Sequence, residues 1–164
     1  QMLTVRLKDG RAWLLVDTSG DALRALAGSS IPGDVLRMDS HEAEGLAGRP
    51  LPLRSDSAAF AAGLVQNGAA RAVIVARGAD GSVIAGQDGA WHAAAAPVQV
   101  VSAVGAGDSF VAGFVLAMAR GWPGQEALAL AAAAASAAVT TPATELCHAD
   151  DVRHFYSQRI VTRL

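Results

Sequence analysis

Hydrophobic positions recur along the first half of this chain by turns in short continuous runs and at helical spacing. Ala12 to Asp17 is a compact apolar run that ends in an acidic residue and the turn-like Thr18-Ser19-Gly20, the pattern of a strand buried on both faces. Leu23, Leu26 and Ala27 follow at helical spacing, behind Ser19 or Asp21, either of which can cap a helix. Ile31-Pro32-Gly33 breaks the pattern, and Asp34 to Met38 reads as a second short strand. Ser40 to Leu46 predicts a short helix, Ser55 to Asn67 a longer one stopped by Gly68, and Ala72 to Ala76 another strand. Strands alternating with helices predict a parallel sheet covered on both sides.

Beyond Ala76 the rhythm changes. Turns at Gly78-Ala79-Asp80-Gly81 and Gln87-Asp88-Gly89-Ala90 set off the short strands Ser82 to Ala85 and Trp91 to Ala94, so antiparallel hairpins extend the sheet edge. Val98 to Val101 is extended, and Asp108 to Arg120, Gly124 to Thr140 and Asp150 to Ser157 are helices, the middle one rich in alanine. The opening Leu3 to Gly10 reads as the tail of a helix. No repeat, linker or domain boundary divides residues 1–164, which form a single unit.

Composition narrows the ligand class. The net charge is −2 and the 13 Lys and Arg are scattered, so no electrostatic footprint for nucleic acid exists and a small molecule is the expected partner. Cys147 is the only cysteine and cannot form an internal disulfide; with no apolar leader, a cytoplasmic location is expected. The apolar run Ala127 to Val139 falls short of the ~20 residues that span a bilayer, so no membrane segment is expected. His41, His92, His148 and His154 lack the spacing of a zinc site.

The chemistry concentrates in Ser102-Ala103-Val104-Gly105-Ala106-Gly107-Asp108-Ser109-Phe110, between an extended stretch and a helix. Gly105 and Gly107 permit positive φ and leave the turn bare, so successive N–H groups can converge on an anion. The helix adds a partial charge of roughly +0.5 at the same point. Asp108 would then lie where it could accept a proton from an attacking hydroxyl. Spacing alone leaves a second reading open, an ordinary Gly-rich turn whose Asp caps the helix. A dinucleotide fingerprint is disfavoured by Phe110 where a third Gly would stand, and no Gly-Lys-Ser/Thr of a Walker loop occurs.

The Val104 to Ser109 segment resembles the signature of the ribokinase-like (phosphofructokinase-B) sugar kinases. Val16 to Leu23, Val75 to Gly81 and Leu146 to Asp151 also resemble that family, the last its phosphofructokinase and tagatose-6-phosphate kinase branch. The resemblance implies a three-layer, Rossmann-like α/β fold with helices on both faces of a parallel sheet. It implies ATP and Mg2+, with K+ as a further candidate, and a phosphorylated sugar as acceptor. It makes Asp108 the catalytic base and Gly105, Ala106 and Gly107 the anion hole. Gly78, Gly81 and Ser136 would meet the nucleotide. Backbone carbonyls of Ser102, Val104, Ala138 and Ala143 would hold the monovalent cation. The family's Lys-Pro-Asn-x-x-Glu appears as Arg37-Met38-Asp39-Ser40-His41-Glu42. Arg37 and Asp39 would thus stand near the nucleotide, and Glu42 would organise water around magnesium, a role compatible with Asp in place of Asn. Further departures are Ala76 for Ser, Thr141 for Asn and Glu145 for Arg. Family members are longer, so the chain reads as a C-terminal, nucleotide-binding and catalytic portion truncated at its N-terminus, without the sugar-binding half. An exposed sheet edge and a homodimer of the full-length protein are expected with it. The competing reading from another class is a non-catalytic nucleotide-binding or interaction module that keeps the fold.

Overall fold

The computed structural model describes residues 2–6, 12–28, 33–143 and 145–164. Among them, seven strands form one sheet: β1 (Met2–Arg6), β2 (Ala12–Asp17), β3 (Gly33–Asp39), β4 (Ala70–Ala76), β5 (Ser82–Gly86), β6 (Gly89–Ala93) and β7 (Val161–Arg163). They lie side by side in chain order. The β2, β3 and β4 strands are parallel, with Leu15 opposite Val35, Asp17 opposite Arg37 and Asp39 opposite Ala76, while every other pairing is antiparallel. This register brings the C-terminal ends of β2, β3 and β4 out along one edge.

Strand residues alternate between the two faces. Trp13, Leu15, Val35, Ile74 and Ile84 pack on one side under α4 (Ala106–Ala119), α5 (Gly124–Ala138) and α6 (Ala149–Ser157). Val16, Leu36, Met38, Val73 and Val75 pack on the other against α1 (Gly20–Ala27), α2 (Ser40–Ala47) and α3 (Arg54–Gln66), which contribute Leu23, Ala43 and Ala61. The result is a three-layer α/β/α arrangement with antiparallel strands at its edges. The continuous apolar runs of β2 to β4 reflect burial on both faces. Among the described residues no helix is long and apolar enough to cross a membrane.

The first expectation that fails is the opening helix. Met2–Arg6 is a strand, antiparallel to β2 with Leu3 opposite Leu15, and residues 7–10 lie outside the described residues. Leu3-Thr4-Val5-Arg6 alternates apolar and polar with two β-branched residues, a period-two signal that outweighs helical spacing. Ile31 and Pro32 also lie outside the described residues. Among the described residues Val98 to Val101 pairs with no strand; the Val101 and Ser102 N–H groups instead donate to the Val139 carbonyl at 2.7 and 3.3 Å. The β7 strand went unseen because three residues cannot display a period. Ser19 is the N-cap of α1 but its side chain makes no capping bond, and Asp21 pairs with Arg24.

The α4 and α5 helices approach each other closely. A Cβ on Gly113 would stand 3.1 Å from Ala131 Cα, Ala134 Cβ and the Leu130 carbonyl. The alanines of α5 allow that approach, and Phe114, one residue on, stacks on Trp13 of β2 at 5.9 Å between ring centroids. A larger residue at 113 must push α4 off both neighbours. Gly113→Leu should therefore destabilise the fold by roughly 3 kcal/mol, whereas Ala112→Leu, at an exposed position of the same helix, should stay within about 0.5 kcal/mol. Urea unfolding of the two variants checks the pair, and equal midpoints would contradict the close packing.

Candidate active site

The edge where β2, β3 and β4 end opens into a cavity of about 720 Å³. Gly78 and Gly81 line it from the turn after β4, Arg37 and Asp39 from the end of β3, Ser136 from α5, and Ala106 and Gly107 from the first turn of α4. Open parallel sheets place ligands at this end of their strands. Gly105, Asp108, Glu42, Ser102, Val104, Ala138 and Ala143 are not among the lining residues.

The first turn of α4 begins two residues earlier than the sequence pattern predicts. Gly105 takes a left-handed φ of 82° as N-cap, a conformation open chiefly to glycine. The Ala106 N–H reaches the Ala103 carbonyl at 3.4 Å, whereas those of Gly107 and Asp108 have no acceptor among the described residues. Two free N–H groups and the positive end of a helix dipole form a receptor for an anion. Asp108 is exposed at the third helical position and makes no capping bond. Its carboxylate is therefore available to a substrate.

Arg37 stands beside this turn. Its Nη1 donates to both carboxylate oxygens of Asp17 at 3.1 and 3.2 Å, and its guanidinium lies 5.8 Å from the centre of the Phe110 ring. Both terminal nitrogens are 3.6 Å from where a Cβ on Gly107 would be, so the guanidinium lies at ordinary contact distance from the helix terminus. The side chains of Arg37 and Asp17 are only 14% and 21% exposed, and the buried Nε–H has no partner among the described residues. Asp17 offsets the desolvation of Arg37 and fixes its direction.

Asp39 and Glu42 engage each other. The Asp39 carboxylate accepts from the Glu42 N–H and the Glu42 carboxylate from the Asp39 N–H, both at 2.8 Å, a capping box that starts α2. Among the described residues no group of three or more His, Cys, Asp or Glu could hold a metal ion directly. A hard divalent cation here would keep most of its waters and lean on ligand phosphates. The loop that carries Ser102 and Val104 is tied to the C-terminal end of α5 by N–H groups of Val101 and Ser102 that donate to the Val139 carbonyl. The Ala138 carbonyl already accepts from Thr141 Oγ1 at 2.9 Å.

The Gly78–Gly81 turn is braced from outside. Asp80 receives Arg54 Nε and Arg77 Nε, each at 2.9 Å. Arg77 also donates to the carbonyls of Leu51 and Pro52 at 3.0 and 2.9 Å. The hydrogen bond from Arg54, helped by Arg77, holds the Asp80 carboxyl at about 2, far below its ordinary value. Gly81 has φ 99°, and a Cβ there would stand 2.1 Å from the Ala93 carbonyl oxygen, so no other residue fits.

Ser136 is buried, and its Oγ accepts from the Ala96 N–H at 3.0 Å. It thereby pins the coil around Ala95 to Val98 against α5 as a wall of the cavity. Sequence reasoning missed that wall, along with Asp17 and Phe110. Asp17 had a signal, an acid closing a buried strand; the coil of Ala95, Ala96 and Pro97 had none.

Comparison with known proteins gives this cavity a context. The model of the pfkB family carbohydrate kinases matches residues 8–151. The ATP-dependent 6-phosphofructokinase isozyme 2 of Mycobacterium tuberculosis is 32% identical over 143 residues, 87% of this chain and 41% of that protein. Phosphofructokinase-2 from Escherichia coli in complex with substrates and products has the same fold at TM-score 0.81 and 30% identity, covering 88% of this chain and 46% of that one. Its structure in complex with potassium gives 0.80 and 31% over the same shares. The chain spans less than half the length of these relatives. A family model that covers most of the chain, and a shared fold, lead to one assignment: the chain belongs to the pfkB family of carbohydrate kinases, on its minor phosphofructokinase branch.

Proposed function

We propose that this chain supplies the nucleotide-binding and catalytic side of an ATP-dependent kinase that phosphorylates a hydroxyl of a sugar phosphate. The observation that carries the reading is the single cavity in which the Gly78–Gly81 turn, the Ser136 wall and the bare first turn of α4 meet. The first two accommodate a nucleotide between small residues, and the third offers N–H groups to its terminal phosphate. The relatives named above, a 6-phosphofructokinase and a phosphofructokinase-2 solved with substrates and products, support this substrate class.

In the proposed reaction the sugar hydroxyl oxygen bonds to the terminal phosphorus as the bond from that phosphorus to the ADP oxygen breaks, and the hydroxyl proton passes to the Asp108 carboxylate. Gly107 and Asp108 N–H groups, with Gly105 shaping the turn and Ala106 opening the helix, hold the charge that develops on the transferring phosphoryl group. Arg37 faces the nucleotide phosphates from β3 with Asp39 beside it. Magnesium, when bound with ATP, screens the phosphate charge; Glu42 would hold its waters, one carboxylate oxygen being committed to the capping box. Potassium would sit among the carbonyls of Ser102, Val104, Ala138 and Ala143, a proposal supported by the potassium complex of the E. coli relative. A homodimer and a cytoplasmic location belong to the same reading.

Two variants of the full-length protein separate the roles of the carboxylates. Asp108→Asn preserves shape and removes the proton acceptor, so turnover should fall ~10²–10⁴-fold with little change in ATP affinity. A fully active Asp108→Asn enzyme would contradict the base, and nucleotide binding without turnover in the wild type would mark a binding module instead. Glu42→Gln keeps the capping box, because an amide oxygen still accepts from the Asp39 N–H. Its unfolding midpoint should therefore stay near wild type while the magnesium needed for half-maximal activity rises. An unaltered magnesium titration would remove Glu42 from the ion's surroundings.

A further inference from the structure

We infer that His92 is a positioning residue for nucleotide binding, its Nε2–H holding the Asp80 carbonyl and so fixing the Gly78–Gly81 turn. The inference rests on the reading that this turn receives the nucleotide. His92 lies on β6 opposite Val83 of β5 and is 1% exposed. Its Nε2 is 2.6 Å from the Asp80 backbone oxygen. A carbonyl only accepts, so Nε2 carries the proton and Nδ1 keeps a lone pair. That Nδ1 is buried and has no partner among the described residues. An apolar side chain of similar volume would remove the unsatisfied Nδ1 but would leave the Asp80 carbonyl without this donor. What the imidazole adds is the bond to Asp80.

That bond acts on a turn already held on its other sides. The Asp80 carboxylate is fixed by Arg54 and Arg77, the Arg77 N–H donates to the Gly81 carbonyl at 2.8 Å, and Gly81 packs on the Ala93 backbone with no room for a side chain. The face left open is the one that Gly78, Ala79 and Gly81 turn to the cavity. Without His92 the Asp80 carbonyl loses its donor, and the peptide that leads into Gly81 gains freedom that a bound nucleotide must remove. The loss should therefore fall on nucleotide affinity and leave the chemistry at α4, a separate wall of the cavity, nearly intact.

The groups facing the ring favour its neutral form. Burial is the main cause that lowers the His92 pKa below its ordinary 6.5, and the guanidiniums of Arg54 and Arg77 act in the same direction against the pull of Asp80. Because the folded value lies below the unfolded one, the native ring takes up a proton only below pH 6.5, and the protonated form would carry a second N–H with no acceptor at Nδ1. The Nε2–H that holds the Asp80 carbonyl is present in both forms, so the positioning bond persists as pH falls, while the unpartnered Nδ1–H costs stability below pH 6.5.

The test uses His92→Leu and His92→Gln in the full-length protein, with ADP affinity by calorimetry, ATP KM and kcat, unfolding midpoints, and ADP affinity from pH 8 to pH 5. His92→Leu should weaken ADP binding and raise ATP KM roughly tenfold, the scale of one hydrogen bond, with kcat within about twofold. His92→Gln, whose amide N–H can reach the Asp80 carbonyl, should recover most of the affinity. Because the protonated ring still donates from Nε2, the wild-type to Gln affinity ratio should hold from pH 8 to pH 5. A Leu variant with a lowered midpoint and unchanged nucleotide affinity would reduce His92 to packing and overturn the inference. So would a Gln variant no better than Leu, or a ratio that collapses toward pH 5, which would tie binding to the neutral ring and not to the Nε2–H bond. If His92→Leu does not fold, the Gln variant and its pH profile decide. A wild type that binds neither nucleotide would instead overturn the reading of the cavity itself.

Discussion

At Gly113 the backbone of α4 comes to rest directly on α5, with 3.1 Å between a would-be Cβ and three atoms of the partner helix. The first turn of α4 inherits its position from that contact. Phe114 follows it into the stack with Trp13, and Phe110, one turn earlier, places the helix start over the Arg37 guanidinium. The turn at Gly105 then presents the N–H groups of Gly107 and Asp108, without acceptors among the described residues, at the mouth of the parallel strands. A helix terminus is an anion receptor only where it points, and here small residues, more than any polar contact, set the direction.

Charge at the cavity is arranged in matched pairs. Arg37 is neutralised by Asp17, Asp80 is shared by Arg54 and Arg77, and Asp39 and Glu42 are spent on each other's N–H groups. Buried charges need such partners, since desolvation of an unpaired one costs several kcal/mol. The carboxylate of Asp108 makes no capping bond and stays exposed. A group left outside the structural pairs at the start of α4 is one that substrate chemistry can use.

The elements whose residues report a period were legible in the sequence. The β2, β3 and β4 strands read as apolar runs because both their faces are covered, and α4 and α5 read as helices because their length allows repetition. Met2–Arg6 was misread although its alternation was present, since a short segment can be matched to either period. The motif from Val104 to Ser109 was legible because its glycines have a backbone purpose. The wall from Ala95 to Val98 was not, because its place comes from a bond between the Ala96 N–H and Ser136 forty residues on. His92 showed no motif for the same reason: its partner is a carbonyl, and sequence carries no trace of which carbonyl a side chain will meet.

The most direct measurement is a crystal structure of the protein with a non-hydrolysable ATP analogue. The account predicts the terminal phosphate about 3 Å from the N–H groups of Gly107 and Asp108, the nucleotide along the Gly78–Gly81 turn, and the base against the wall formed by the Ala95 to Val98 coil and α5. An analogue bound with its phosphates away from the first turn of α4, or outside the cavity altogether, would contradict it.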